Sequence, residues 1–295
     1  MAEPSEPELV TERLLREWPL PAPGDDKHAR GTVLVVGGSA ETPGAVLLAG
    51  EAALRVGGGK LKLATESSVA TTVGVSAPEC RVLGLPGEGD DGALGQAAAD
   101  PVVDAADSAE VVLLGPGLVD LDSARALMEA VVPRLSGGVV IDALGSVFVT
   151  DHPDGLGHLD ACVLTVNPTE LSRILDRDEE EVEADPVGAA SDAARRTGAV
   201  VLCGSTVKAV AAPDGRCWLA HVGGPGLGVS GSGDTQAGLV AGLLARGASP
   251  EQAAVWGGYL HGRAGDVLAT EVGPIGFLAR ELPGRVPALL AALSS

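Results

Sequence analysis

Short runs of apolar residues, each bounded by glycine or a polar turn, recur along the chain and limit what it can fold into. The first is Thr32–Val36, which reads TVLVV. It has no alternating polar position, which is typical of a parallel strand buried on both faces. Similar strands are predicted at Leu61–Ala64, Val111–Leu114, Val139–Asp142, Cys162–Val166 and Ala199–Leu202. With helices between them, the pattern indicates a three-layer α/β/α fold with a mostly parallel central sheet.

Helix-start signals separate these strands. Thr42 is expected to cap a helix with Pro43 at its first position, running to about Val56. Asp122 is expected to cap another helix, running to about Leu135. Further helices are expected to start near Pro168, at Asp185-Pro186, and at a capping box over Ser249–Gln252 that leads a helix through His261.

An antiparallel hairpin is expected near one edge of the sheet. Val207–Ala211 and Cys217–Ala220 read as strands, and Asp214-Gly215 between them suits a two-residue turn. Residues 1–30 are polar and proline-rich, with a short helix expected from Thr11 to Trp18. Neither a repeat nor a composition break follows. The sequence therefore predicts an N-terminal extension over residues 1–30 and a single domain over residues 31–295.

Charge and composition exclude several functional classes. The 295-residue chain has a formal net charge of −20, which disfavours binding to nucleic acid or to an anionic membrane. Its four cysteines lack CxxC spacing, so buried free thiols are expected. There is no apolar run of about 18 residues, and the acidic N-terminus does not resemble a signal peptide. These features predict a cytoplasmic protein that acts on a small molecule.

The segment Gly231–Thr235, which reads GSGDT, carries the strongest functional signal. Gly231 and Gly233 allow the backbone to approach a ligand closely, and an apolar helix follows. The N-terminus of that helix presents free N–H groups and a positive dipole end, which suit a phosphate or an oxyanion. Asp234 lies at the junction, where a carboxylate can take a proton from an attacking hydroxyl. The segment predicts phosphoryl transfer to a hydroxyl.

Other loops are expected to lie near this one. Ligands of open α/β sheets collect at the carboxyl ends of the strands. The candidate loops that follow predicted strands are Gly37–Thr42, Gly115–Leu118, Asp142–Leu144 and Asn167–Glu170. Their agreement in position predicts a single cleft.

The ordered motifs resemble the ribokinase-like superfamily, and within it the ADP- or ATP-dependent NAD(P)H-hydrate dehydratase family. The resemblance covers about residue 27 to the end of the chain. The matching pieces, in order, are KHARG before VLVVGGS, GAVLLAGEAALRVGGG (Gly44–Gly59), Pro78-Glu79, LGPGL (Leu114–Leu118), Asp142-Ala143, GSGD, YLHGRAGD (Tyr259–Asp266) and GPIGFLARELP (Gly273–Pro283). Their order and spacing make the match specific.

The resemblance implies both an activity and a set of roles. In that family a nucleotide phosphorylates the hydroxyl of hydrated NADH or NADPH, and elimination of phosphate restores the dihydropyridine. It implies that Asp234 is the base and that the amides of Gly231, Ser232 and Gly233 stabilise the transferring phosphoryl group. It further implies ADP or ATP and Mg²⁺ as cofactors, and a homo-oligomer. The implied substrate contacts are Ala45, Gly117, Asn167 and Asp234, and the implied nucleotide contacts are Gly204, Ser205, Thr206 and Gly233.

The sequence departs from the family pattern at three positions. Asn167 stands where the family has histidine, Cys203 where it has the lysine of a Lys-Gly pair, and Leu144 where it has a second aspartate. These departures leave two alternatives open. One is a small-molecule kinase of the same superfamily that keeps its product phosphorylated, a reading favoured by Asn167–Glu170 and by Thr235. The other is a catalytically weak nucleotide-binding protein.

Individual side chains allow more than one interpretation. Asn167 and Glu170 resemble the N-x-x-E of sugar kinases, which holds Mg²⁺ through water, but Asn167 could equally cap a helix before Pro168. Lys208 could neutralise phosphate, although an exposed strand lysine is the favoured interpretation. His261 is expected to be a packed or hydrogen-bonded structural histidine.

Overall fold

The computed structural model describes residues 6–205 and 207–294, and a single mixed sheet organises these residues. Within these ranges the sheet has ten strands, in the spatial order β1-β10-β9-β8-β7-β6-β5-β2-β3-β4. The strands are β1 (Glu8–Leu9), β2 (Thr32–Val36), β3 (Lys60–Glu66), β4 (Arg81–Leu85), β5 (Val111–Leu114), β6 (Gly138–Asp142), β7 (Ala161–Val166), β8 (Val200–Gly204), β9 (Lys208–Ala211) and β10 (Cys217–Ala220).

Strands β2 to β8 all run parallel, as the apolar runs predict. Helices cover both faces of the sheet. They are α1 (Glu12–Glu17), α2 (Gly44–Arg55), α3 (Ser67–Ser76), α4 (Ala99–Ala106), α5 (Leu121–Val131), α6 (Val147–Asp151), α7 (Pro168–Leu175), α8 (Glu179–Ala184), α9 (Pro186–Thr197), α10 (Ser232–Ala245), α11 (Pro250–Glu271) and α12 (Val286–Leu293).

The core consists of two apolar layers, one on each side of the sheet. In β2, Val33 and Val35 pack against the layer of α2, α10 and α11, whereas Leu34 and Val36 face the layer of α5 and α9. Both sets of side chains are fully buried, which explains why TVLVV lacks alternating polar positions. The three-layer α/β/α fold is confirmed. In the described ranges, no helix is both long and apolar enough to cross a membrane.

Three predictions of local structure were wrong in detail. Helix α2 begins at Gly44 rather than at Pro43, because the Thr42 hydroxyl donates to the Gly117 carbonyl at 2.7 Å instead of capping the helix. Asp120, not Asp122, caps α5, since its side chain accepts from the Ser123 amide at 2.8 Å. The β9–β10 hairpin has a three-residue turn, because Ala212 still pairs with Arg216 and Gly215 takes a φ of 95°.

The N-terminal segment is attached to both the sheet and the helices. Strand β1 pairs in parallel with β10 at the sheet edge, a pairing that the sequence did not predict. Beyond α1, the indole of Trp256 donates to the Trp18 carbonyl at 3.1 Å, and Gln252 donates to the Pro19 carbonyl at 3.0 Å. Trp18 also stacks on Trp218, with ring centroids 5.6 Å apart. Residues 8–19 therefore lie against the edge beyond β10 and against α11.

Helices α2 and α10 approach each other closely through glycines of α10. A Cβ on Gly238 of α10 would overlap the Ala49 carbonyl of α2, and one on Gly242 would meet the Ala53 carbonyl. The two backbones therefore touch without side chains between them. This contact sets the position of the α10 N-terminus, where the GSGDT segment lies.

Candidate active site

The GSGDT segment forms a tight turn into α10. Gly231 caps the helix with a φ of 87°, a conformation that residues with a Cβ rarely adopt. A Cβ at this position would also overlap the side chain of Leu48 on α2. The Ser232 amide donates to the Val229 carbonyl at 3.1 Å, which closes the turn and occupies an amide that was expected to hold the phosphoryl group. In the described ranges, no protein acceptor pairs with the amides of Gly233 or Asp234, which leaves them for an anion.

Asp234 is a largely buried carboxylate without a partner. In the part of the chain described, no hydrogen-bond donor or basic side chain pairs with it, and burial raises its pKa to about 6. A carboxylate with this pKa is ionised at neutral pH and is more basic than an exposed aspartate. It can therefore accept a proton from a substrate hydroxyl.

Two further acidic side chains face the same cavity. Asp142, at the carboxyl end of β6, accepts a hydrogen bond from the Thr165 hydroxyl at 2.7 Å. Burial, together with the charges of Asp234 and Glu170, holds the pKa of Asp142 well above its ordinary value. Asp142 is therefore protonated more readily than an exposed aspartate, which reduces the negative charge of the cavity.

Asn167 and Glu170 form a capping box at the start of α7. The Asn167 side chain accepts from the Glu170 amide at 2.8 Å, and the Glu170 carboxylate accepts from the Asn167 amide at 3.0 Å. Burial raises the pKa of Glu170. The predicted helix cap is thus present, and both residues also line the cavity.

Lys208 has an environment that the sequence did not predict. The expectation of an exposed strand lysine was wrong: Lys208 is 5% exposed and lies against the cavity. The reason is its register, since Lys208 pairs with Gly204 and lies on the same face of β9 as the core residue Val210. The run VKAVAA around it is apolar, and that signal could have revealed a buried position.

His261 of α11 packs against the GSGDT turn. It is 2% exposed, and its Nε2 lies 3.0 Å from the Ser232 hydroxyl. Burial and the charge of Lys208 keep the pKa of His261 well below its ordinary value, so the ring is neutral. The expectation of a hydrogen-bonded structural histidine is confirmed, but the side chain also lines the cavity.

The cavity holds about 860 Å³ and lies at the carboxyl ends of β6, β7 and β8. Its walls bring together most of the residues predicted for catalysis and nucleotide binding, namely Gly231, Ser232, Gly233, Asp234, Asn167, Glu170, Gly204 and Ser205. Thr206 lies outside the described residues. The sequence did not point to Gln236, which also lines the cavity from α10.

Ala45 and Gly117 lie together at the neighbouring strand ends, outside the walls of this cavity. A Cβ on Gly117 would lie 2.7 Å from the Ala45 Cβ, and Gly117 has a φ of 68°. Gly115, two residues earlier, lies against the backbone of Asp142, a cavity residue. Ala45 and Gly117 therefore lie next to the cavity, beyond the ends of β2 and β5, whereas Asp234 lines the cavity itself.

The donor set suits a metal ion that arrives with phosphates rather than a resident one. Among residues 6–205 and 207–294, no group of three or more histidine, cysteine or acidic side chains is placed to hold a metal. Glu170 uses one carboxylate oxygen in the capping box, and its other oxygen makes no hydrogen bond within the described chain. Mg²⁺ commonly binds one or two carboxylates through water together with substrate phosphates, and Glu170 fits that pattern.

The fold is that of the ribokinase-like class. A ribokinase-like superfamily protein from Enterococcus faecalis has the same fold, with a TM-score of 0.82 at 22% identity over 97% of this chain and 96% of that one. The family model for NAD(P)H-hydrate dehydratase matches residues 33–287, and the chain belongs to that family.

Two relatives support this assignment. The chain is 44% identical, over 95% of both sequences, to the ADP-dependent (S)-NAD(P)H-hydrate dehydratase of Xanthomonas campestris pv. campestris. It is also similar to the ADP/ATP-dependent NAD(P)H-hydrate dehydratase from Bacillus subtilis, which was co-crystallized with ATP/Mg²⁺. That structure has a TM-score of 0.80 at 26% identity, over 98% of this chain and 99% of that one. The family resemblance and the enzyme class expected from the sequence are confirmed.

Proposed function

We propose that this protein dehydrates hydrated NADH and NADPH, with ADP or ATP as phosphoryl donor. The observation that carries the proposal is Asp234, an unpaired buried carboxylate beside the free amides of the α10 N-terminus. Membership of the NAD(P)H-hydrate dehydratase family supports the choice of substrate. The Xanthomonas relative is ADP-dependent and the Bacillus enzyme was co-crystallized with ATP/Mg²⁺, which supports an adenine nucleotide as donor.

The first step transfers a phosphoryl group to the substrate hydroxyl. Asp234 accepts the hydroxyl proton while the oxygen forms a bond to the terminal phosphorus of the nucleotide. The bond from that phosphorus to the bridging oxygen breaks, so ADP yields AMP and ATP yields ADP. The amides of Gly233 and Asp234 lie where they can donate to the transferring group, and each donor of this kind is worth about 3 kcal/mol.

The second step eliminates the phosphate. The bond between the ring carbon and the ester oxygen breaks, and inorganic phosphate leaves with that oxygen. The adjacent ring carbon loses a proton to solvent, and the electrons of its C–H bond form the ring double bond. The net result is loss of the elements of water from the hydrated dinucleotide, driven by cleavage of the nucleotide.

The remaining residues have binding roles in this proposal. Ala45 and Gly117 contact the hydrated nicotinamide, with Asn167 near its other edge. Gly204, Ser205 and Thr206 contact the nucleotide. Bound Mg²⁺ would neutralise phosphate charge, held through water by Glu170 and Asn167. We also propose the homo-oligomeric state and cytoplasmic location expected from the sequence; light scattering after gel filtration and cell fractionation test them.

The decisive experiment is a dehydratase assay. The protein is incubated with hydrated NADH, Mg²⁺ and either ADP or ATP, and the absorbance of restored NADH is followed. We expect turnover with at least one nucleotide and loss of turnover in Asp234→Asn, which removes the base with little change of shape. Absence of turnover with both nucleotides would refute the proposal.

A small-molecule kinase is the second candidate. Thr235 after the aspartate and the Asn167–Glu170 pair favour it, because both resemble sugar kinases. The same incubation separates the two activities when its products are analysed by mass spectrometry. A stable phosphorylated product supports the kinase, whereas inorganic phosphate and restored NADH support the dehydratase. Nucleotide-induced thermal stabilisation without either product would indicate a catalytically weak nucleotide-binding protein.

A further inference from the structure

The cavity wall between β9 and α10 contains polar groups that the proposed mechanism leaves without a partner. Lys208 makes no hydrogen bond or ion pair with any residue in the described ranges, although it is 5% exposed. The Oε1 of Gln236, a residue that is also 5% exposed, has no hydrogen-bond partner there either. Buried polar groups usually have partners, and a buried unpaired charge is costly. The ammonium group of Lys208 therefore points to an anionic ligand, whereas the Gln236 Oε1 is an acceptor that an anion cannot satisfy.

Both groups converge on Gly204 at the end of β8. A Cβ on Gly204 would lie 2.9 Å from Gln236 Nε2 and 3.4 Å from Lys208 Nζ. A side chain at this position would thus separate the two groups from each other and fill the space between them. The Lys208 stem reaches this point by passing Gly258 of α11, where a Cβ would lie 3.6 Å from the Lys208 Cβ. Two glycines therefore leave room for one ammonium group.

The charge of the cavity identifies the kind of ligand. Among the described residues that line it, Lys208 is the single lysine or arginine, and Asp142, Glu170 and Asp234 are acidic. Lys208 makes no ion pair with any of these three. An anionic ligand would supply the negative charge that these three carboxylates do not provide to Lys208. Burial also lowers the pKa of Lys208 to about 8, and a bound anion would restore its full charge.

We propose that Lys208, with Gln236 beside it, binds the polyphosphate of the nucleotide opposite the amides at the N-terminus of α10. This inference rests on the proposed use of ADP or ATP. The polyphosphate lies between two donors of different kinds, the backbone amides of Gly233 and Asp234 on one side and an ammonium group on the other. Lys208 is a phosphate-binding residue, and the Nε2 of Gln236, which lies beside it at Gly204, can donate to the same phosphate.

The test measures binding of ADP and of adenosine in the presence of Mg²⁺. Calorimetry compares the wild type with Lys208→Met, which keeps the apolar stem and removes the charge. The dissociation constant for ADP should rise about ten- to a hundredfold, the range for loss of one hydrogen bond to a charged group. Adenosine binding should change less than about twofold. Unchanged ADP binding, or equal loss for both ligands, would overturn the proposal.

Lys62→Met is the matched control. Lys62 is also a strand lysine, but its ammonium group is satisfied by the Ala105 carbonyl at 3.0 Å and by Ser108, away from the cavity. This variant should bind ADP as the wild type does. In the absence of ligand, Lys208→Met should melt at or above the wild-type temperature, because it removes an unpaired buried charge.

A second measurement does not depend on a variant that folds. The chain has four lysines, Lys27, Lys60, Lys62 and Lys208. Reductive methylation with formaldehyde, read by peptide mass spectrometry, reports the reactivity of each. ADP should protect Lys208 at least about fivefold and adenosine should not, since only ADP carries the phosphates that cover the ammonium group. Equal protection by both ligands, or none by ADP, would contradict the role of Lys208.

The two proposals fail separately. A wild type that restores NADH with ADP, together with a Lys208→Met variant of unchanged ADP affinity, refutes the role of Lys208 and leaves the dehydratase standing. A wild type that binds ADP through Lys208 but restores no NADH refutes the dehydratase and leaves the phosphate contact standing.

Discussion

Replacing the Asp234 carboxylate should stabilise the fold, by an amount that depends on pH. The pKa of Asp234 rises from its ordinary 3.8 to about 6 because the folded protein buries the carboxylate without a partner. Each tenfold change in proton affinity corresponds to about 1.4 kcal/mol. Ionised Asp234 therefore costs the folded state about 3 kcal/mol, a cost that Asp234→Asn removes.

The sign of the pH dependence follows from linkage. An acid whose pKa is raised on folding destabilises the protein fully above the folded pKa and not at all below the unfolded pKa. The stability advantage of Asp234→Asn should thus be about 3 kcal/mol at pH 8 and about half of that at pH 5. The other titratable groups that line the cavity, Asp142, Glu170, Lys208 and His261, are present in both proteins. Because the charge of Asp234 also raises the pKa of Asp142 and of Glu170, their titration adds to the difference between the two proteins.

Urea unfolding of both proteins from pH 5 to pH 8, followed by circular dichroism, measures this difference. The acidic limit is set by the sequence pI of about 4.5, near which the protein would precipitate. A constant offset between the two proteins would report packing or hydrogen bonding of the new amide. A difference in stability that does not grow from pH 5 to pH 8 would refute the claim that ionised Asp234 destabilises the folded protein.

Three further predictions concern the rate of restored NADH. For the wild type, kcat/KM should fall about tenfold per pH unit below pH 6 as Asp234 becomes protonated; a profile that stays flat to pH 5 would exclude it as the base. Gly231→Ala should lose about 1–2 kcal/mol of stability and at least tenfold in rate, because Gly231 has a φ of 87° and packs on Leu48. Gly284→Ala, whose new Cβ would meet no atom within 4 Å, is its control. Glu170→Gln keeps a capping-box residue but loses the charge, so the Mg²⁺ concentration for half-maximal rate should rise at least about threefold; an unchanged Mg²⁺ titration would contradict its metal role.

The sequence was most informative where a single local rule determines the structure. Val111–Leu114 is a strand with the predicted bounds, and α7 begins at Pro168 as predicted, because burial and capping act within a few residues. Strand β4 was not predicted. Its residues Arg81–Leu85 include a glycine, and most of them are only partly buried, so the segment lacks the apolar signal of the central strands.

The candidate site likewise has a part that the sequence could predict and a part that it could not. The GSGDT turn could be predicted because its glycines and aspartate are consecutive in the sequence. The wall of Lys208 and Gln236 could not, since it depends on the pairing of β9 with β8 and on the direction in which α10 leaves the turn. A strand position faces one layer or the other according to its register, and sequence spacing alone does not determine that register.

The glycine contact between α10 and α2 has a mechanical consequence. Because carbonyl groups of α2 lie where side chains of α10 would otherwise be, the two helices cannot slide without a clash between their backbones. Ala45 and Asp234, which lie in the first turns of these helices, are thus held at a fixed distance from each other. Any widening of the cleft would therefore have to come from residues outside this helix pair, such as Gly223, Gly224 and Gly228 of the cavity wall.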